Sequence, residues 1–250
     1  MIDVHCHLEQ PDYDSDREEV IENCKKELKA IITSCAHPKD FDLTMQLVEK
    51  HKGFVFATVG IHPEYIKEVS EKEKEEFFEL VRKNRDKIIG IGEVGLDFII
   101  EEQEWREKQK EMFCKFISLA KELNMPLIIH ARKAFAEAIE ILEKQEAKNV
   151  LMHFFSAKEL LDKVKENFWY ISVNTTVLTS KKIKKIVRDM PIERILTETD
   201  APWLGPEGKR NDSRSIKLVI KKIAEIKKLS EEEVEKKTTE NAINFFNLEF

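Results

Sequence analysis

The chain is short of the residues that would cross-link it or divide it. Its four cysteines (Cys6, Cys24, Cys35 and Cys114) stand far apart and form no Cys-x-x-Cys pair. In a chain of this size that argues against a disulfide scaffold. They read as reduced, mostly buried thiols of a cytoplasmic protein. Seven glycines and seven prolines, nowhere clustered, leave no linker and no low-complexity tract among 250 residues, so one domain over residues 1–250 is expected. No apolar run approaches ~18 residues and no basic, apolar leader opens the sequence, so no membrane partner is expected. An excess of positive charge is missing too: 42 Lys and Arg against 48 Asp and Glu give a net charge of −6. This gives no global attraction to nucleic acid or to an anionic surface, and leaves only a local basic mouth or bound cations to draw an anion in. Nothing in the composition separates a monomer from a homo-oligomer.

What is present is alternation. Short β-branched runs at 2–6, 30–34, 54–59, 88–93, 126–130, 149–153, 169–173 and 194–199 are separated by charged segments of helical period. One such segment, Glu102–Asn124, repeats Trp105, Met112, Phe113, Phe116, Ile117 and Ala120 near every 3.6 residues. Others span Phe135–Glu146, Lys158–Glu166, Lys181–Asp189 and Ser215–Lys228. Charged residues make up 36% of the chain, above the usual ~25%, and Lys/Glu runs such as Ser70–Glu76 read as solvated helix faces. Eight strands, each followed by a helix, predict an all-parallel sheet with right-handed crossovers, and eight is the number that closes a (β/α)₈ TIM barrel. The last segment, Ser230–Asn247, opens with the capping-box pattern Ser-Glu-Glu-Glu and predicts an extra C-terminal helix outside the barrel.

The first run, Ile2-Asp3-Val4-His5-Cys6-His7, brings two imidazoles to one strand face. Taken alone, the pair is half of a metal site or two terminal surface histidines. In a parallel barrel the active site lies at the carboxyl ends of the strands, so the test is whether ligand-type residues recur there. Strand four ends at Glu93, strand five at His130 and strand six at His153, while strand eight runs into Asp200 and His62 follows strand three. Six nitrogen and oxygen ligands exceed what one tetrahedral ion needs and suit two divalent ions sharing a carboxylate. Mg, Mn, Zn and Fe all accept such a mixed set.

Gly90-Ile91-Gly92-Glu93-Val94-Gly95 also fits G-x-G-x-x-G, but a dinucleotide site needs a helix to open at that turn. Here Leu96–Ile100 intervenes before the helical pattern starts near Glu102. Small residues that let Glu93 reach the barrel axis are the better reading.

His5-Cys6-His7, Gly60-Ile61-His62-Pro63, Gly92-Glu93-Val94-Gly95-Leu96-Asp97, His153-Phe154-Phe155-Ser156, Glu198-Thr199-Asp200-Ala201-Pro202-Trp203-Leu204 and Gly208-Lys209-Arg210-Asn211 together resemble the TatD-like metal-dependent deoxyribonucleases over nearly the whole chain. The resemblance implies an amidohydrolase-type barrel that hydrolyses DNA phosphodiester bonds, often from the 3′ end, and the expected function is an exonuclease on single strands or frayed ends. It implies one metal held by His5, His7, Glu93 and Asp200, and a second by Glu93, His130 and His153, with Glu93 bridging and a water activated between them. The sequence departs from the family pattern at Glu64, where a second histidine is frequent, and at Ala157, where glycine is common. Relatives built on a carbamylated lysine would need Lys in place of Glu93. A histidine-rich phosphoesterase of another barrel type would carry histidines after His153, and none follows.

Asp200 and Glu93 are the expected catalytic residues, Asp200 either as a pure ligand or as the group that moves the water's proton to the leaving oxygen. Glu198, one layer deeper on the same strand face, suits orienting a ligand or a basic partner. The scissile phosphate needs further partners. Arg132 and Arg210 offer planar forks, His62 offers a donor, and Trp203 offers a ring on which a base can stack. Lys133 reads as a solvated loop charge, and Phe155 either as a second stacking ring or as rim packing. The competing class is an enzyme for another ester, either a small phosphoester or an aminoacyl-tRNA deacylated on the same two ions. A non-catalytic metal scaffold is disfavoured by the complete ligand set.

Overall fold

The computed structural model describes residues 1–99 and 102–250; Ile100, counted above in the stretch before the fourth helix, lies outside them. Eight parallel strands form one sheet in chain order: β1 (Ile2–Cys6), β2 (Ala30–Cys35), β3 (Val55–Val59), β4 (Gly90–Asp97), β5 (Leu127–Arg132), β6 (Val150–Met152), β7 (Tyr170–Val173) and β8 (Ile195–Thr197). The seven crossovers carry α1 (Arg17–Lys25), α2 (Phe41–Lys50), α3 (Glu71–Lys83), α4 (Gln103–Leu123), α5 (Phe135–Lys144), α6 (Leu161–Glu166) and α7 (Lys181–Asp189), and α8 (Ile216–Lys227) follows β8. The sheet curls until its first and last strands meet. The amide of Asp200 donates to His5 O (2.9 Å) and that of His7 to Ala201 O (2.7 Å). Buried Asp3 accepts from the Thr199 amide (3.0 Å) and hydroxyl (2.6 Å). The (β/α)₈ barrel expected from the alternation is the fold found.

Several strand ends differ from the sequence reading, and those of β4, β5, β6 and β8 bear on the site, β5 running past His130 to Arg132. β4 does not stop at Glu93 but runs on to Asp97. Its pairing with β5 slips by one residue between Ile91 and Val94, and β1 slips likewise against β2 between Asp3 and Cys6. Each slip is a bulge, the local device by which a strand re-aims a side chain. The extra turn of β4 is possible because Gly95 lacks a Cβ: one there would lie 2.1 Å from His130 O. β6 and β8, in contrast, end before His153 and Glu198, so these residues and Asp200 stand on the loops just above the sheet.

The ring of helices buries apolar faces as the 3.6-residue period predicts, with Met112, Phe113, Phe116, Ile117 and Ala120 of α4 all in the core. The last helix, α9 (Glu231–Phe246), has the capping box read from sequence. It does more than pack on the outside. Ala242, Phe245, Phe246 and Leu248 cluster with Ile2, Ile128, Leu151 and Leu196. Ile128, Leu151 and Leu196 each precede a site residue (His130, His153, Glu198) by two positions, so they share its strand face. The helix therefore closes the floor of the barrel, each buried aromatic contributing about 1.5–3 kcal/mol, while the carboxyl ends stay open.

Candidate metal centre

A cavity of about 590 Å³ opens at the carboxyl ends of the strands, with His7, His62, Glu93, His130, Arg132, His153, Asp200 and Trp203 among its lining residues. At its base four donor atoms converge. His5 Nε2 lies 3.1 Å from His7 Nε2, 3.4 Å from Glu93 Oε2 and 3.7 Å from Asp200 Oδ1. His7 Nε2 lies 3.8 Å from the same Glu93 oxygen and 3.5 Å from Asp200 Oδ1. Ligands about 2.0–2.2 Å from one tetrahedral ion stand roughly 3.3–3.6 Å apart. The four atoms have the spacing of such a shell.

Glu93 turns its other oxygen the opposite way. Oε1 lies 2.7 Å from His130 Nδ1, 3.5 Å from His153 Nε2 and 3.6 Å from His62 Nε2. One carboxylate thus faces two sets of imidazoles, one through each oxygen, because the β4 bulge delivers it to the barrel axis from mid-strand. His5 is fully buried; among the described residues its Nδ1 has no hydrogen-bond partner, and its Nε2 faces the cluster. Buried nitrogens this close, interleaved with carboxylate oxygens, are reconciled by a cation or by protons, and the donor set fits divalent cations.

Protonation follows from this packing. Burial opposes ionisation of Glu93, yet His153, His62, His5 and the hydrogen bond from His130 hold its carboxyl well below the usual range. Burial likewise opposes charge on His153, but Glu198 and Glu93 beside it raise the imidazole to about 10. Asp200, although buried, is held at about 2 by its hydrogen bond with His7 and the charges of His153 and His5. Burial and the neighbouring His130 push His62 down to about 3. His62 Nδ1 accepts from the Glu64 amide (3.2 Å), which places the ring proton on Nε2, facing the cavity.

Behind these groups lies a set of carboxylates. Glu198, fully buried, accepts from His153 Nδ1 (2.8 Å) and Asn174 Nδ2 (3.0 Å). Glu9 lies 3.2 Å from His7 Nδ1 and accepts from the Thr33 hydroxyl (2.7 Å). Asp97 accepts from His130 Nε2 (3.1 Å) and Arg132 Nε (2.6 Å). Such contacts fix the tautomer and direction of an imidazole whose other nitrogen is a ligand. Glu9 and Asp97 were not singled out as site residues from sequence. Period two contained the signal for both, since Glu9 follows His7, and Asp97 follows Glu93 and Gly95, at intervals of two.

The structure brings His5, His7, Glu93, His130, His153 and Asp200 together, with His62 and Arg132 in the wall. Trp203 stands at the mouth, 45% exposed, its ring 4.9 Å from that of His7. Phe155 is buried against Phe135. Arg210, expected as a phosphate contact, lies away from the cavity. It forks onto Asp16 (2.5 and 2.9 Å), donates to Asp12 O and lies over the Tyr13 ring. Its neighbour Asn211 explains the placement, since Nδ2 donates to Thr199 O and Tyr13 donates to Asn211 O, so the segment braces the Asp200 loop against the stretch leading into α1. All four cysteines are free thiols, and three of them are buried. Among the described residues no helix is long and apolar enough to cross a membrane.

A parallel (β/α)₈ barrel with histidines and carboxylates converging at its carboxyl end is the architecture of a metal-dependent hydrolase. The family model for TatD-related DNases matches residues 2–247, and the chain belongs to that family. It is 34% identical over 259 residues to a human protein named deoxyribonuclease TATDN3, covering 98% of this chain and 94% of that one. It is 36% identical over 258 residues to a Bacillus subtilis (strain 168) protein named uncharacterized metal-dependent hydrolase YabD, covering 99% of each. Among solved structures, a TatD homolog from Escherichia coli k12, YjjV, superposes with a TM-score of 0.91 at 22% identity, covering 100% of this chain and 98% of that chain. A TatD family hydrolase from Entamoeba histolytica superposes with a TM-score of 0.89 at 22% identity, over 98% of this chain and 97% of that one.

Proposed function

We propose that this hydrolase is a deoxyribonuclease that cleaves phosphodiester bonds from the 3′ end of single-stranded or frayed DNA, using two divalent cations. The reading is carried by the two-sided placement of Glu93, whose Oε2 faces His5 and His7 and whose Oε1 faces His130 and His153. His5, His7, Glu93 and Asp200 would hold one cation, and Glu93, His130 and His153 the other. When bound, the cations lower the pKa of water and offset charge on the phosphate. Deoxyribonuclease naming of the human relative supports DNA as the substrate.

The chain's own groups then divide the work. Asp200, ionised at neutral pH, accepts the proton of the attacking water and returns it to the leaving 3′ oxygen as the P–O bond breaks. Arg132, whose Nη2 meets Glu64 in the absence of a ligand, and the Nε2–H of His62 supply donors to the phosphate from the wall, and Trp203 offers the terminal base a ring at the mouth. Glu198 and Glu9 keep His153 and His7 turned toward the centre. Domain organisation follows the same reading, with the whole chain as one catalytic domain in the cytoplasm.

End-labelled single-stranded DNA, incubated with metal-loaded protein in Mg or Mn, tests this. A ladder shortening from the 3′ end, abolished by chelator and by His153→Ala in a folded variant, is the expected result. An intact substrate alongside two bound metals per chain would overturn the nuclease reading in favour of a small phosphoester or an aminoacyl-tRNA ester on the same centre.

A further inference from the structure

Arg132 is gripped by two carboxylates that differ in kind. Asp97 is buried and already receives His130 Nε2 (3.1 Å) and the Ile99 amide (2.9 Å), so its bond to Arg132 Nε belongs to the wall. Glu64 is different. Its side chain is 48% exposed at the cavity mouth, where Oε1 accepts from Arg132 Nη2 at 2.5 Å. Its other oxygen lies 3.6 Å from His62 Nδ1, a nitrogen that already accepts from the Glu64 amide and so offers that oxygen nothing. Glu64 therefore occupies the outward edge of the guanidinium, the edge a phosphate would take, and among the described residues nothing buried holds it there.

We propose that Glu64 is a specificity-determining charge filter: it must yield Arg132 to a phosphate, and its own charge beside that phosphate penalises a second negative charge on the ligand. Phosphodiesters, which carry one charge, are admitted. Phosphate monoesters and inorganic phosphate, which carry two, are held off. The inference rests on the phosphodiester reading of the site for its biological sense, though the charge preference stands without it. A unit charge about 5 Å from a carboxylate at a solvated rim feels a several-fold effect on affinity, so removing Glu64 should strengthen a monoanion about threefold and a dianion about tenfold.

The test uses metal-loaded protein and two small probes at pH 8, inorganic phosphate for the dianion and dimethyl phosphate for the monoanion. Their affinities are read by displacement of a dye-labelled phosphorothioate oligothymidylate, with anisotropy as the signal. In E64Q the phosphate affinity should rise about tenfold and the dimethyl phosphate affinity about threefold, shifting their ratio about threefold. In E64Q on an R132Q background the shift should vanish, because Glu64 acts on the phosphate held by Arg132. An unchanged ratio in E64Q, with or without an equal gain for both probes, would overturn the proposal, as would a full shift in the absence of Arg132. A shifted ratio in a protein that leaves DNA intact would keep the filter and reject the nuclease reading.

Discussion

Glu198 shows how much of this centre depends on residues that never reach its face. It is fully buried with His153 Nδ1 at 2.8 Å and Asn174 Nδ2 at 3.0 Å, so both its oxygens have assigned partners. Its charge is what raises His153 and what fixes the Nδ1–H tautomer that leaves Nε2 free as a ligand. Glu198→Gln keeps the volume and the bond to Asn174 through its carbonyl but turns an amide toward His153 or loses the charge there. Metal affinity should fall about 10–100-fold, measured by competition with a chromophoric chelator. Because the proton on His153 loses the same partner, metal uptake in this variant should also depend less on pH. Wild-type affinity with the wild-type pH slope would show that Glu198 merely packs.

At the scale of elements, the bulge in β4 is the feature on which the centre turns. It lets one strand deliver Glu93 to the axis and still run on to Asp97, and the second half of that run passes within touching distance of β5 at Gly95, whose added Cβ would stand 2.1 Å from His130 O. Gly95→Ala must therefore push β4 off β5 just where His130 pairs with it. The expected cost is about 2–4 kcal/mol in stability, read by denaturant unfolding, with activity lost in the fraction that remains folded. A variant of wild-type stability would show the two strands to be free to part. The barrel itself and the six residues that converge at its carboxyl end were legible in the sequence because period and spacing are local signals. The bulge was not, since Ile88–Glu93 reads as an ordinary strand end and only the pairing with β5 reveals the slipped residue. For the same reason Asp97, a layer beyond the expected end, was seen as motif but not as part of the wall. Arg210 misled in the other direction. Its position after Asp200 put it near the mouth in sequence, but Asp16, far earlier in the chain, holds it on the flank.

For the molecule as a whole, the candidate centre lies across the seam where the barrel closes, an arrangement that would couple a bound metal to folding. His5 and His7 come from β1 and its end, Asp200 from the loop after β8, and Glu93 from β4 on the far side, so a cation held among them ties both edges of the sheet to its middle. A ligand present at 100 times its Kd stabilises the native state by about 2.7 kcal/mol, which in a protein of this size corresponds to roughly 5–11 °C in Tm. The pH dependence has a definite sign. In the metal-free protein His153 is raised to about 10, above the ordinary imidazole value of about 6.5. Its stabilising contribution is therefore complete below about 6.5 and is lost as pH rises from there toward 10. Metal must displace that proton, so the metal-loaded state gains on the metal-free state over the same interval. The difference in Tm between metal-loaded and chelated protein should widen from pH 6.5 to 9, and groups far from the centre cancel in that difference. Scanning calorimetry at fixed free metal measures it directly. A gap that is constant or narrows with pH would mean that His153 does not give up a proton to the metal, and its assignment as a ligand would fall with it.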